Sequence, residues 1–167
     1  MSKDYSVSSI LFPSLNSNLD GISADIFLRG CKAPHCPGCH NAELQNFVEN
    51  NKSLEDIISS LKPHSEGFSV ITIMGGEPLD SNHDMLLKLL TNLRLEFPEK
   101  KLSLYTGYGL STAIDMSNDI LEQLDYIKCG RYDETNRAPF GSFLATKNQI
   151  MYQKLRGCWS IQYQYQD

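Results

Sequence analysis

Apolar and polar positions along the chain switch repeatedly between a period of two and a period near 3.6, and the switches divide it into short strands and amphipathic helices. Ile22 to Leu28 is mostly apolar and closes at Arg29-Gly30, which predicts a buried strand. The residues before it, with Pro13 and several Asn and Ser, read as an irregular or edge segment. Ser53 and Asp56 resemble a capping pair, after which Leu54, Ile57, Ile58 and Leu61 recur at helical spacing until Pro63. Phe68 to Met74 is rich in β-branched residues and stops at Gly75-Gly76, as a buried strand followed by a turn does. Met85, Leu86, Leu89, Leu90 and Leu93 form the apolar stripe of a second helix, with Pro98 just past its end.

Lys101 to Tyr105 predicts another strand, and a helical stretch ending near Leu124 precedes a strand over Tyr126 to Cys129 that stops at Gly130. Arg131 to Lys147 has weak periodicity, and loops of that length inside a domain are usually functional or mobile. A strand around Gln149 to Tyr152 follows, and Trp159, Tyr163 and Tyr165 read as a final half-buried strand. Strands alternating with helices argue for an α/β fold with parallel strands. With 167 residues, a single domain over 1–167 is expected.

Composition adds constraints. Hydrophobic residues make up 41% and charged residues 21%, ordinary values for a globular chain. The longest apolar runs are far too short for a membrane span and the N-terminus lacks a signal-peptide core, so a cytoplasmic protein is expected. A net charge of -5 gives no general attraction to nucleic acid or anionic lipid, so neither is expected as a partner. Five cysteines, three within nine residues, are poor material for a disulfide framework and suit ligand thiols in a reducing compartment.

Cys31, Cys36 and Cys39 stand at C-x4-C-x2-C spacing in a loop where Pro34, Pro37 and Gly38 allow a tight curl. Thiolates are soft ligands, suited to an iron-sulfur cluster or to zinc. Three thiolates on a four-iron cube leave one iron open. A zinc site completed by His35, His40 or a distant cysteine is the alternative, but zinc sites normally use two separated ligand pairs and no second pair is present.

The loop resembles that of the radical S-adenosylmethionine superfamily, and Cys36-Pro-Gly-Cys39-His-Asn41 is similar to the anaerobic ribonucleoside-triphosphate reductase activating proteins. Gly75-Gly76-Glu77-Pro78, Tyr105-Thr106-Gly107-Tyr108 and the degenerate Ala145-Thr-Lys-Asn-Gln149 resemble further segments of that family. The resemblance implies an incomplete parallel (β/α) barrel and a 4Fe-4S cluster on Cys31, Cys36 and Cys39. It also implies S-adenosylmethionine at Gly75, Gly76, Glu77, Thr106 and Asn148, with no catalytic side chain beyond cluster and cofactor. The implied activity is cleavage of the cofactor to a 5'-deoxyadenosyl radical that installs a glycyl radical on anaerobic ribonucleotide reductase, with a flavodoxin-like reductant. An activase for another glycyl radical enzyme, or a small-molecule radical enzyme, would share the same residues.

Two departures stand out. The loop carries one residue more than the usual C-x3-C-x2-C, and Cys129 replaces an Asp found in many relatives. Lys128 either faces the site or points to solvent. Cys129 and Cys158 read as buried or incidental thiols.

Overall fold

The computed structural model describes residues 1–167. Seven strands form one sheet in the order β1 (Val7–Ser14), β2 (Ser23–Leu28), β3 (Val70–Gly75), β4 (Lys101–Thr106), β5 (Tyr126–Cys129), β6 (Ile150–Leu155) and β7 (Cys158–Gln164). Three helices, α1 (Leu54–Leu61), α2 (His83–Glu96) and α3 (Leu110–Glu122), join the central strands. β2 to β5 are parallel, as the crossover helices require.

The expected α/β domain with a parallel sheet is present at its centre, but the sheet as a whole is not parallel throughout. β1 pairs antiparallel with β2, and β6 and β7 continue the far side antiparallel, so the sheet is mixed. The pairing order is also linear, from β1 at one edge to β7 at the other. Antiparallel neighbours need no crossover helix, and Arg156-Gly157, both at positive φ, turn β6 into β7 in two residues. The segment containing Pro13 is therefore an edge strand. Tyr165 falls just outside β7.

The helices follow the sequence pattern closely. Ser53 Oγ accepts from the Asp56 N–H at 3.1 Å and Asp56 returns the bond to the Ser53 N–H at 2.8 Å, a complete capping box. Asn82 caps α2, whose Leu86, Leu89, Leu90 and Leu93 are buried. α3 is broken at Ser117, where the backbone leaves the helical region. None of these helices is long and apolar enough to cross a membrane.

Strand alternation gives the sheet two unlike faces. Ala24, Ile26, Leu28, Ile71, Ile73, Leu102, Leu104 and Ile127 pack against the helices in one hydrophobic core. On the opposite face, Asp25, Thr72, Ser103, Tyr126 and Gln153 stand side by side across five strands. Near the C-terminal ends of the parallel strands, Phe27 is level with Met74, and Lys128 lies between Tyr105 and Met151.

The loop 15–22 crosses this helix-free face. Ser17 donates to Asp25, the Ser17 carbonyl accepts from Tyr105 Oη at 2.5 Å, and Asp20 accepts from Tyr126 and, at 2.9 Å, from Gln162 of β7. A loop that starts beside one edge of the sheet thus reaches the other.

Candidate functional site

The cysteine loop begins where β2 ends. Gly30 and Cys31 donate their N–H groups to the carbonyls of Leu44 and Gln45 at 2.7 and 2.8 Å, so the chain returns to brace the loop at its root. Within it, the Cys39 N–H reaches the Cys36 carbonyl at 3.4 Å, His35 contacts the Cys31 carbonyl at 3.0 Å, and the Asn41 N–H points at Cys39 Sγ at 3.4 Å. All three thiols are unpaired and half-buried. Burial and the Glu77 charge push the Cys31 thiol up to about 11, so binding a metal there would require that proton to leave.

The donor set fits an iron-sulfur cubane. Three soft sulfurs sit on one loop, and a backbone N–H aims at one of them, the kind of contact that tunes such clusters.

Gly75 and Gly76 lie beside the loop's root. A Cβ on Gly75 would stand 2.5 Å from the Leu28 carbonyl oxygen and one on Gly76 2.6 Å from that of Gly30. Glycine is thus needed here for backbone packing as well as for any ligand approach. The Gly76 and Glu77 N–H groups donate to the same two carbonyls, of Leu28 and Gly30, at 2.8 and 2.9 Å.

The Glu77 side chain turns toward β4. Its carboxylate accepts from the Gly107 N–H at 2.6 Å, the Thr106 hydroxyl at 2.8 Å and the Leu79 N–H at 3.1 Å. Burial outweighs these three donors and raises its pKa to about 7. Glu77 and Thr106, both expected as direct cofactor contacts, are bonded to each other.

Asn148 donates to the Arg131 carbonyl at 2.8 Å, and Gln149 donates to that of Gly130 at 3.1 Å. They fix the exit of β5, from which Arg131 Nη2 reaches the Pro34 carbonyl in the cysteine loop at 2.5 Å. Tyr132 packs on His40, with ring centres 4.8 Å apart, and Glu134 lies against Gly38. The weakly periodic stretch after β5 therefore covers the cysteine loop.

Lys128 faces the helix-free side of the sheet, with Nζ 3.7 Å from the centre of the Tyr105 ring. Burial, with no compensating charge, pulls its pKa down to about 8. Cys129 is buried and Cys158 is exposed on β7.

Residue patterning did not reveal Asp80, Tyr108, Arg131 or Asp25. Asp80 is 9% exposed and accepts from the Lys32 N–H in the cysteine loop. A carboxylate inside an apolar strand is the signal that marks Asp25. For Asp80 the signal is its place three residues after Glu77, at the end of the glycine turn.

Residues 18–152 match the family described as "4Fe-4S single cluster domain". The anaerobic ribonucleoside-triphosphate reductase-activating protein of Pasteurella multocida (strain Pm70) is 28% identical over 148 residues, covering 84% of this chain and 93% of the relative. Proteins of the same name from Escherichia coli (strain K12) and Enterobacteria phage T4 are each 26% identical, covering 81% and 89% of this chain and 90% and 95% of their own lengths. The matched stretch takes in the cysteine loop, the glycine turn and the four parallel strands that carry them, and on that ground the chain belongs to the 4Fe-4S single cluster domain family.

Proposed function

We propose that this chain is a radical S-adenosylmethionine activase that installs a glycyl radical on anaerobic ribonucleotide reductase. The observation that carries the reading is the loop itself: three unpaired thiols at the C-terminal end of the first parallel strand, beside the Gly75-Gly76 turn, in a chain of the 4Fe-4S single cluster family. Ligands in parallel α/β folds gather at these strand ends. The name shared by the relatives supplies the reductase as the partner.

In this reading Cys31, Cys36 and Cys39 hold a 4Fe-4S cluster and leave one iron open. A cluster held there would supply one-electron reduction of S-adenosylmethionine, chemistry that splits the cofactor into methionine and the 5'-deoxyadenosyl radical needed to take a hydrogen atom from a glycine Cα of the partner. The chain's own residues position and enclose. The Gly75-Gly76 turn presents backbone at the strand ends, where the methionine end of the cofactor sits. Glu77 and Thr106 hold that turn against the end of β4, and their contribution to cofactor binding is chiefly indirect. Asn148 fixes the Arg131 turn over the loop. Phe27, Met74, Tyr105 and Met151 form an apolar floor that keeps water from the radical, with Lys128 as its one cation.

A flavodoxin-like protein is the reductant in this reading, and a reducing compartment such as the cytoplasm is its setting. The test is anaerobic: protein reconstituted with iron and sulfide, then mixed with reductant, S-adenosylmethionine and the reductase. A glycyl radical signal by electron paramagnetic resonance is expected, and Cys36→Ala should abolish it. Wild-type protein that assembles its cluster yet yields no radical on the reductase would overturn the choice of partner.

A further inference from the structure

Asp80 is a buried carboxylate with two distant neutral donors and no basic side chain in salt-bridge contact. One oxygen accepts from the Lys32 N–H at 2.7 Å, the other from the Tyr108 hydroxyl at 2.6 Å. Lys32 is the residue next to Cys31, and Tyr108 belongs to the turn after β4. Tyr108 is anchored in turn, its N–H donating to Thr106 Oγ1 at 3.1 Å. The Asp80 N–H donates to the Glu77 carbonyl at 3.0 Å, so the aspartate rides on the same short turn as Gly75 and Gly76.

Two consequences follow. A carboxylate that grips the backbone beside Cys31 fixes where that sulfur stands relative to the glycine turn. A carboxylate bonded to the backbone next to a cluster ligand and held in no salt bridge also makes the cluster harder to reduce, because net charge and nearby hydrogen bonds set the potential. Tyr108 orients the carboxylate without cancelling its charge.

We propose that Asp80, held by Tyr108, is a positioning residue for the cluster loop that fixes Cys31 against the Gly75-Gly76 turn and keeps the reduction potential of the cluster low. The inference rests on the cluster assigned above to the cysteine loop. It concerns residues outside the thiol ligands.

The test compares reconstituted wild type, Asp80→Asn, Tyr108→Phe and, as a remote exposed control, Asp119→Asn. Iron and sulfide content, the midpoint potential from a redox titration followed by electron paramagnetic resonance, and the rate of iron loss to a chelator are measured without S-adenosylmethionine or partner. Asp80→Asn should shift the potential positive and release iron on the order of tenfold faster. Tyr108→Phe keeps the charge and the Lys32 bond, so its potential should stay near wild type while iron loss accelerates. Asp119→Asn should match wild type in all three.

A wild-type potential and wild-type iron retention in Asp80→Asn overturn the proposal. Unchanged iron loss in Tyr108→Phe overturns the part given to the tyrosine. Should Asp80→Asn not accumulate as folded protein, Asp80→Glu replaces it: the charge is kept and the grip displaced, so faster iron loss at nearly constant potential is expected, and wild-type retention overturns the proposal. Wild-type protein that takes up zinc or no cubane defeats the cluster assignment instead, and the two failures are told apart by metal analysis before any titration.

Discussion

Glu77 and Thr106 meet at 2.8 Å across 29 residues of sequence, joining the turn after β3 to the end of β4. Thr106 is 5% exposed, so its hydroxyl has little access to water as an alternative partner. Thr106→Val keeps the shape and removes the donor. Loss of about 1–2 kcal/mol of stability is expected from chemical denaturation of the cluster-free protein, because Glu77 Oε1 is left with the Leu79 N–H alone and the Tyr108 N–H loses its acceptor.

The same carboxylate gives the cluster-free protein a signed pH dependence. Its pKa rises from 4.5 to about 7 on folding, so the native state binds the proton more tightly than the unfolded chain between those values. Glu77 therefore favours the folded state most at pH 4.5 and below, and this contribution disappears as pH climbs through about 7. Glu77→Gln should remove that decline while leaving the rest of the profile intact. Identical slopes of unfolding free energy against pH in the two proteins would contradict this account.

Lys128 runs the opposite way. Its pKa falls from 10.5 to about 8 in the folded state, so at neutral pH the protein carries a half-buried ammonium that the unfolded chain would hydrate better. Lys128→Met should raise stability by roughly 1–3 kcal/mol at pH 7, with the gain vanishing as pH passes above 10.5. Thermal melts at several pH values read this directly. A stabilised variant with weakened cofactor binding would mark Lys128 as retained for function at the expense of stability.

The cysteines should separate cleanly. Cys31→Ala, Cys36→Ala and Cys39→Ala are each expected to lose most reconstituted iron and sulfide, while Cys158→Ala, exposed on the edge strand, should keep wild-type content. Cys129→Ala removes a buried thiol on the helix side of β5 and should lower stability by about 1 kcal/mol without changing iron content. Metal and sulfide analysis after identical reconstitutions distinguishes these outcomes.

The parallel strands, the α1 capping box and the leucine stripe of α2 were legible because each is written in local periodicity or in a pair of residues three apart. Pairing direction is not local. Nothing in Val7–Ser14 or Cys158–Gln164 states that its neighbour runs antiparallel, so the mixed character of the sheet was not legible there. The thiol loop was legible from spacing alone. The roles of Glu77, Thr106 and Asn148 were less so, because whether a polar side chain meets a ligand or another loop depends on contacts spanning about 17 to 30 residues. Strand alternation between buried Ile127 and Cys129 could have told which way Lys128 points.

One short turn, Gly75 to Asp80, is bonded both to the loop bearing Cys31 and to the exit of β4. Thermodynamic reciprocity then applies: whatever tightens one of these attachments lowers the free energy needed to order the other. Filling the sulfur loop should sharpen affinity for a guest at the glycines, and the guest should in equal measure retard loss of the filling. Occupancy at either end becomes a report on the other.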